Sequence, residues 1–100
     1  MKKIINGKKY DTDTATIKHE WCNNQSGFRY CYEALYQKRT GEYFLFGEGG
    51  AMTRYCKNAG DNTYTGGNAI TPMSEKEARE WAESVADADD YERIFGEVEE

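Results

Sequence analysis

One hundred residues, 38% of them apolar and 14% aromatic, suit a single domain whose modest core draws on large aromatic side chains. No apolar run approaches the roughly 20 residues of a membrane helix, and Met1-Lys2-Lys3 is not followed by a signal-type apolar core. A soluble, cytoplasmic protein is therefore expected, with Cys22, Cys31 and Cys56, an odd number without framework spacing, as reduced thiols.

The net charge of −5 conceals a division. Residues 1–73 carry ten Lys and Arg against seven Asp and Glu, a balance of +3, whereas residues 74–100 carry three against eleven, a balance of −8. An acidic C-terminal segment keeps a protein soluble, and it also suits a basic surface on a partner, such as a nucleic-acid-binding groove.

In chain order, Asn6-Gly7 between Lys3-Ile4-Ile5 and Lys8-Lys9-Tyr10 predicts a tight hairpin with positive φ at both turn residues. Its lysines read either as a charged edge that blocks sheet-to-sheet association or as phosphate contacts. Over 11–24, Ala15, Ile17, His19 and Trp21 alternate as in a strand. Ile17 and Trp21 also fit one helical face, but the β-branched Thr12, Thr14 and Thr16 favour the strand. Asn23 to Gly27 reads as a turn or loop.

The stretch 28–50 holds seven of the fourteen aromatic side chains and reads as the organising hairpin. Its strands run Phe28–Gln37 and Glu42–Phe46, joined by Lys38-Arg39-Thr40-Gly41, where Gly41 takes the positive φ of the loop. Period two puts Phe28, Tyr30 and Tyr32 on one face and Arg29, Cys31 and Glu33 on the other. Gly47-Glu48-Gly49-Gly50 reads as a sharp exit from the second strand, and 51–56 as a short helical turn that carries Met52, Tyr55 and Cys56 inward. Lys57 to Asn68, rich in Gly, Asn and Thr, predicts a surface loop with Tyr64 exposed at its centre.

After Pro72 the pattern turns helical. Ser74 to Glu77 is a capping box, and Ala78, Trp81, Ala82 and Val85 form one apolar stripe. An Asp at 87, 89 or 90 caps a second short helix with Tyr91, Ile94 and Phe95 inward, ended by Gly96. Residues 97–100 form an acidic tail. The expected fold is α+β: a small antiparallel sheet of hairpins or a meander of three main strands, its aromatic face covered by a helix over 75–86.

The chemistry-bearing residues are sparse. His19 and Cys22 give only one close pair of metal-ligand type, and on a strand they face opposite ways, so neither a zinc site nor Cys–His catalysis is expected. The C-terminal carboxylates fall on a solvent face rather than in a cleft, which speaks against paired acid–base catalysis. No catalytic residue, metal or cofactor is assigned. Two binding surfaces are. Glu80, Glu83, Asp87 and Asp90 recur at intervals of three and four and line up if the helix continues through Ala86. They are the candidates for a protein partner, with Tyr64 as a loop contact. Lys8, Lys9, Lys38 and Arg39, interleaved with tyrosines, are the candidates for a nucleic acid, against which the tyrosines read as core and the lysines as its solvated rim.

Three segments, Ile4 to Ala15, Glu33 to Gly50 by way of Tyr43-Phe44-Leu45-Phe46-Gly47-Glu48-Gly49-Gly50, and Met73 to Trp81, together resemble a family of small proteins of phages and other mobile elements of Firmicutes. Similar sequences occur among inhibitors of the RNA-guided nuclease of type II CRISPR systems. The resemblance implies a non-enzymatic inhibitor in the cytoplasm of a bacterial host cell, acting on such a nuclease or its guide complex. It carries no site residue, and the cysteines and His19 lie outside its pattern. A nucleic-acid-binding module and a regulatory or toxin–antitoxin partner are the alternative readings.

Overall fold

Residues 1–100 are described by a computed structural model. The chain is α+β, with three antiparallel sheets and two helices near the C-terminus. β1 (Lys2–Ile5) and β2 (Lys8–Asp11) form the N-terminal hairpin, turned by Asn6 and Gly7 at φ of 52° and 77°. These positive angles are what the Asn-Gly pair supplies at little steric cost.

The main sheet has four strands in the order β3 (Thr16–Cys22), β4 (Cys31–Gln37), β5 (Tyr43–Gly49) and β8 (Gly67–Met73). It is one strand wider than the expected meander. Gly, Asn and Pro are poor strand formers, so 67–73 does not read as β. At an edge they are tolerated, and Pro72, opposite Phe44, lies on that outer strand. Lys57 to Asn68, expected as a loop, instead folds back as a small hairpin, β6 (Lys57–Gly60) and β7 (Thr63–Thr65), before entering β8.

The central hairpin differs in two places from the sequence reading. Its first strand begins at Cys31, because Gly27–Arg29 forms a 3-10 turn that leaves Phe28 70% exposed and off the sheet. Its second strand runs on through Gly47-Glu48-Gly49 rather than ending at Phe46. The glycines there permit close approach: a Cβ on Gly47 would fall inside the Tyr55 ring, and one on Gly50 would strike the Gly27 and Phe28 carbonyls. The segment 51–56 therefore presses on the sheet through Thr53 and Tyr55, and Met52, expected inward, is 65% exposed.

Register decides what each face of the sheet does. Glu33, Leu35, Tyr43 and Leu45 share one face, and α1 (Glu75–Val85) packs on it with Ala78, Trp81 and Ala82. The small alanines bring the helix axis close, while Trp81 fills the space towards Trp21 and His19, whose ring it meets edge-on at 5.8 Å. α2 (Ala88–Phe95) adds Tyr91 and Phe95 to the same cluster. This corrects the expectation that the helix covers the aromatic face. Tyr32, Tyr36, Phe44 and Phe46 point the other way, where only the N-terminal hairpin lies, Tyr10 packing edge-on against Phe44 and closing over Ile70. A β-bulge at Ile17–His19 breaks the expected alternation of β3, so Ile17 joins the aromatic face while His19 and Trp21 stay under the helices. No helix is long and apolar enough to cross a membrane.

Candidate functional site

Four clusters of chemistry-bearing side chains stand out, and the first is structural. Glu33, 5% exposed, sits under α1 with both carboxylate oxygens engaged. Trp81 Nε1 donates to Oε1 at 2.9 Å, while the Tyr55 hydroxyl and Arg54 Nη1, the latter at 3.3 Å, donate to Oε2. A carboxylate out of water needs such a set of donors, one of them cationic, to remain tolerable. Burial, and then donation to Glu33, pushes the Tyr55 phenol above its ordinary pKa. The node ties sheet, helix and the 50–56 segment together. Sequence reading placed Glu33 on a mixed face. Its signal was one acid inside the otherwise apolar Cys31–Tyr36 run.

The second cluster lies at the helix junction. The backbone turns extended at Ala86 (ψ 153°), so the acidic row foreseen along a continuous helix is split. Glu80 and Glu83 stay on α1. Asp87 caps α2 by accepting from the Asp90 N–H at 2.8 Å, and Asp90 accepts from Arg93 at 3.4 Å. Glu80 lies 4.0 Å from Lys76. The break assembles a different set. Glu83, Asp87, Glu92, Glu99 and Glu100 surround an open cleft of about 500 Å³ floored by Ala86, Ala88, Tyr91 and Val98, with no Lys or Arg in its lining. Glu92 accepts from the Val98 N–H at 3.0 Å and so holds the tail over the cleft.

Third, three of the four basic candidates converge. Lys9, Lys38 and Arg39 line a cleft of about 280 Å³ with Thr14, Thr40 and the buried Asp11. Lys38 lies 3.7 Å over the Tyr10 ring, which fixes its stem, and 3.9 Å from Glu42. Lys8 is turned away to Glu42 at 3.1 Å. That donation, followed by the Thr40 hydroxyl, holds the Glu42 carboxyl below its usual range. Tyr64, 53% exposed, projects from the β6–β7 hairpin rather than from an unstructured loop.

The fourth cluster is on the aromatic face of the sheet, at the end that the N-terminal hairpin leaves open. The Tyr32 hydroxyl donates to Glu20 Oε1 at 2.6 Å and the Tyr30 hydroxyl to Glu48 Oε1 at 3.0 Å. Phe46 meets Tyr32 at 6.3 Å between ring centroids. Tyr30 and Tyr32 were legible as one face of a strand, whereas Glu20 and Glu48 depended on the register of β3 and on β5 running past Phe46. The three cysteines are spread between an exposed Cys22, a buried Cys31 and a half-buried Cys56. No group of three or more His, Cys, Asp and Glu side chains gathers as a metal site would require. No known family model, curated protein or solved structure matches the chain.

Proposed function

We propose that the protein acts by binding rather than by catalysis, as an inhibitor whose acidic C-terminal helices enter a basic groove on another protein. A type II RNA-guided nuclease or its guide complex is the partner that the resemblance of Ile4–Ala15, Glu33–Gly50 and Met73–Trp81 suggests. The supporting observation is the junction cleft, in which five carboxylates rim an apolar floor without an internal cation. A basic side chain entering there meets unneutralised charge and buries its stem on Tyr91 and Val98. Pull-down and DNA-cleavage assays with several type II nucleases test the reading. The Glu83→Lys, Asp87→Asn pair, in which Asn preserves the helix cap, is expected to abolish inhibition with the fold intact. Absence of binding and inhibition across those nucleases would refute it.

The convergence of Lys9, Lys38 and Arg39 favours one second reading, contact with a nucleic-acid backbone. Three such contacts predict a salt slope of about −2 to −3 in log affinity against log salt, falling to about −1 when Lys9 and Arg39 become Gln and only Lys38 remains. A flat salt profile would remove that reading.

A further inference from the structure

The open end of the aromatic face has no role in either reading, lies on the side of the sheet opposite the helices, and has an unusual composition. Tyr30, Tyr32 and Phe46 present half-buried rings, and Ile17, opposite Tyr36 further along the same face, is 43% exposed. Burial and then the bond to Glu20 push the Tyr32 phenol above its ordinary pKa, so that at neutral pH it remains a donor. Each of Glu20 and Glu48 accepts from one tyrosine through Oε1 only. Their Oε2 atoms accept from no group in the chain, and neither carboxylate has a Lys, Arg or His partner. Across the paired positions of this face, from the Cys22–Tyr32–Glu48–Asn68 row to the Ile17–Tyr36–Phe44–Pro72 row, no basic residue occurs; Lys18, in the β3 bulge, lines a cleft with Glu20 but forms no ion pair with it.

We infer that this face is a docking surface for a basic peptide segment of a partner protein, with Tyr32 and Phe46 contacting Arg or Lys stems and heads and Glu20 and Glu48 receiving their charge. Ring faces attract cations, and a carboxylate already oriented by a tyrosine loses little freedom when a guanidinium joins it. Glu20 lies on β3 and Glu48 on β5, two strands apart and one row along. At usual sheet spacings their Cα atoms are about 11–12 Å apart, which suits two cationic side chains of one segment rather than a single one. Open antiparallel sheets bearing aromatic rings also stack nucleobases, but two carboxylates without an ion-pair partner beside the rings oppose a phosphate backbone, and this favours the peptide.

The test uses the full chain and a short synthetic peptide rich in Arg and Lys, with a matched peptide carrying Gln at those places. Titration is followed by amide shifts in ¹H–¹⁵N spectra and by calorimetry. The expected result is saturable binding of the basic peptide alone, with shifts confined to β3, β4 and β5. The Glu20→Gln, Glu48→Gln pair should weaken it by about tenfold or more at low salt with melting temperature unchanged. The indole signals of Trp21 and Trp81, on the other face, serve as the fold control. Shifts that map to the α1–α2 junction, affinity indifferent to the double substitution, no saturable binding, or tighter binding of a single-stranded oligonucleotide would each overturn the inference. None of these outcomes depends on whether a nuclease is inhibited.

Discussion

Replacing Trp81 by phenylalanine removes one N–H donor from a carboxylate that is 5% exposed, while leaving an aromatic ring in the core. Oε1 of Glu33 has only that donor; the hydroxyl of Tyr55 and the guanidinium of Arg54 are both on Oε2. A lost hydrogen bond to a buried charged group costs about 1.5–3 kcal/mol, and the smaller ring leaves a packing shortfall of about 1 kcal/mol. For a domain of 100 residues each kcal/mol moves the midpoint by about 4–8 °C, so Trp81→Phe should melt roughly 10–30 °C below the parent. The assay is a circular-dichroism melt paired with urea unfolding. Glu33→Gln and the double variant complete the cycle, in which the coupling should be favourable but smaller than that roughly 1.5–3 kcal/mol, since an amide oxygen still accepts, more weakly, from the same indole. A Trp81→Phe protein within about 0.5 kcal/mol of the parent, the range of an ordinary surface change, would refute the node as a source of stability.

Gly47→Ala drives a methyl into the Tyr55 ring, and overpacking of that kind should lower stability by about 1–3 kcal/mol and loosen the 50–56 segment, read as faster amide exchange there. Ser74→Ala breaks the capping box and should cost about 1 kcal/mol. The Ser74 backbone N–H and then its hydroxyl hold the Glu77 carboxyl low, so that contribution is present above the unfolded carboxylate range and fades as pH falls through the lower folded value; Ser74→Ala keeps the N–H, so its acid melts should lose only the smaller, hydroxyl share of that slope. Burial raises the phenols of Tyr30, Tyr32, Tyr36, Tyr43 and Tyr55, so stability should be complete below pH of about 10 and fall above it, as the unfolded chain ionises first. Ultraviolet titration showing these tyrosines ionising near the ordinary value in a still-folded protein would contradict that assignment.

Local signals were legible wherever one interaction decides the backbone. Asn6-Gly7, the Ser74–Glu77 box, the Ala78–Val85 stripe and Gly96 at φ of 94° all occur as their sequence signatures require. What the sequence did not disclose depends on partners far along the chain. Nothing within Gly67–Met73 marks a strand; it becomes one because β5 offers a free edge. The glycines at 47 and 49 look like an exit and are in fact clearance for Tyr55 and Thr53. The acidic row failed on Asp87 for a similar reason. Its spacing fits a helix, yet its side chain is also a strong N-cap, and once it accepts from Asp90 the chain starts a new helix there. Of the basic candidates, Lys9, Lys38 and Arg39 are joined in one cleft by the fold, while Lys8 lies outside it, paired with Glu42.

The choice of which face the helices cover follows from Glu33. An aromatic face would seem the better platform for α1, yet a carboxylate in the middle strand must be supplied with donors, and Trp81 and Tyr55 supply them only from its own side. Covering that side commits Leu35 and Leu45 to the core and leaves the rings of Tyr32, Tyr36 and Phe46 to the opposite side. There the N-terminal hairpin contributes Tyr10 and Ile5, packed around Phe44 and Ile70 and not reaching Tyr32. The open rings are thus a consequence of where the buried charge sits, and the Tyr–Glu pairs keep that exposed apolar surface wet and oriented. The buried charge and the open rings lie on opposite faces of one sheet. Changes at Glu20 and Glu48 should stay within about 0.5 kcal/mol of the parent, whereas any change at Glu33 should be felt throughout the fold.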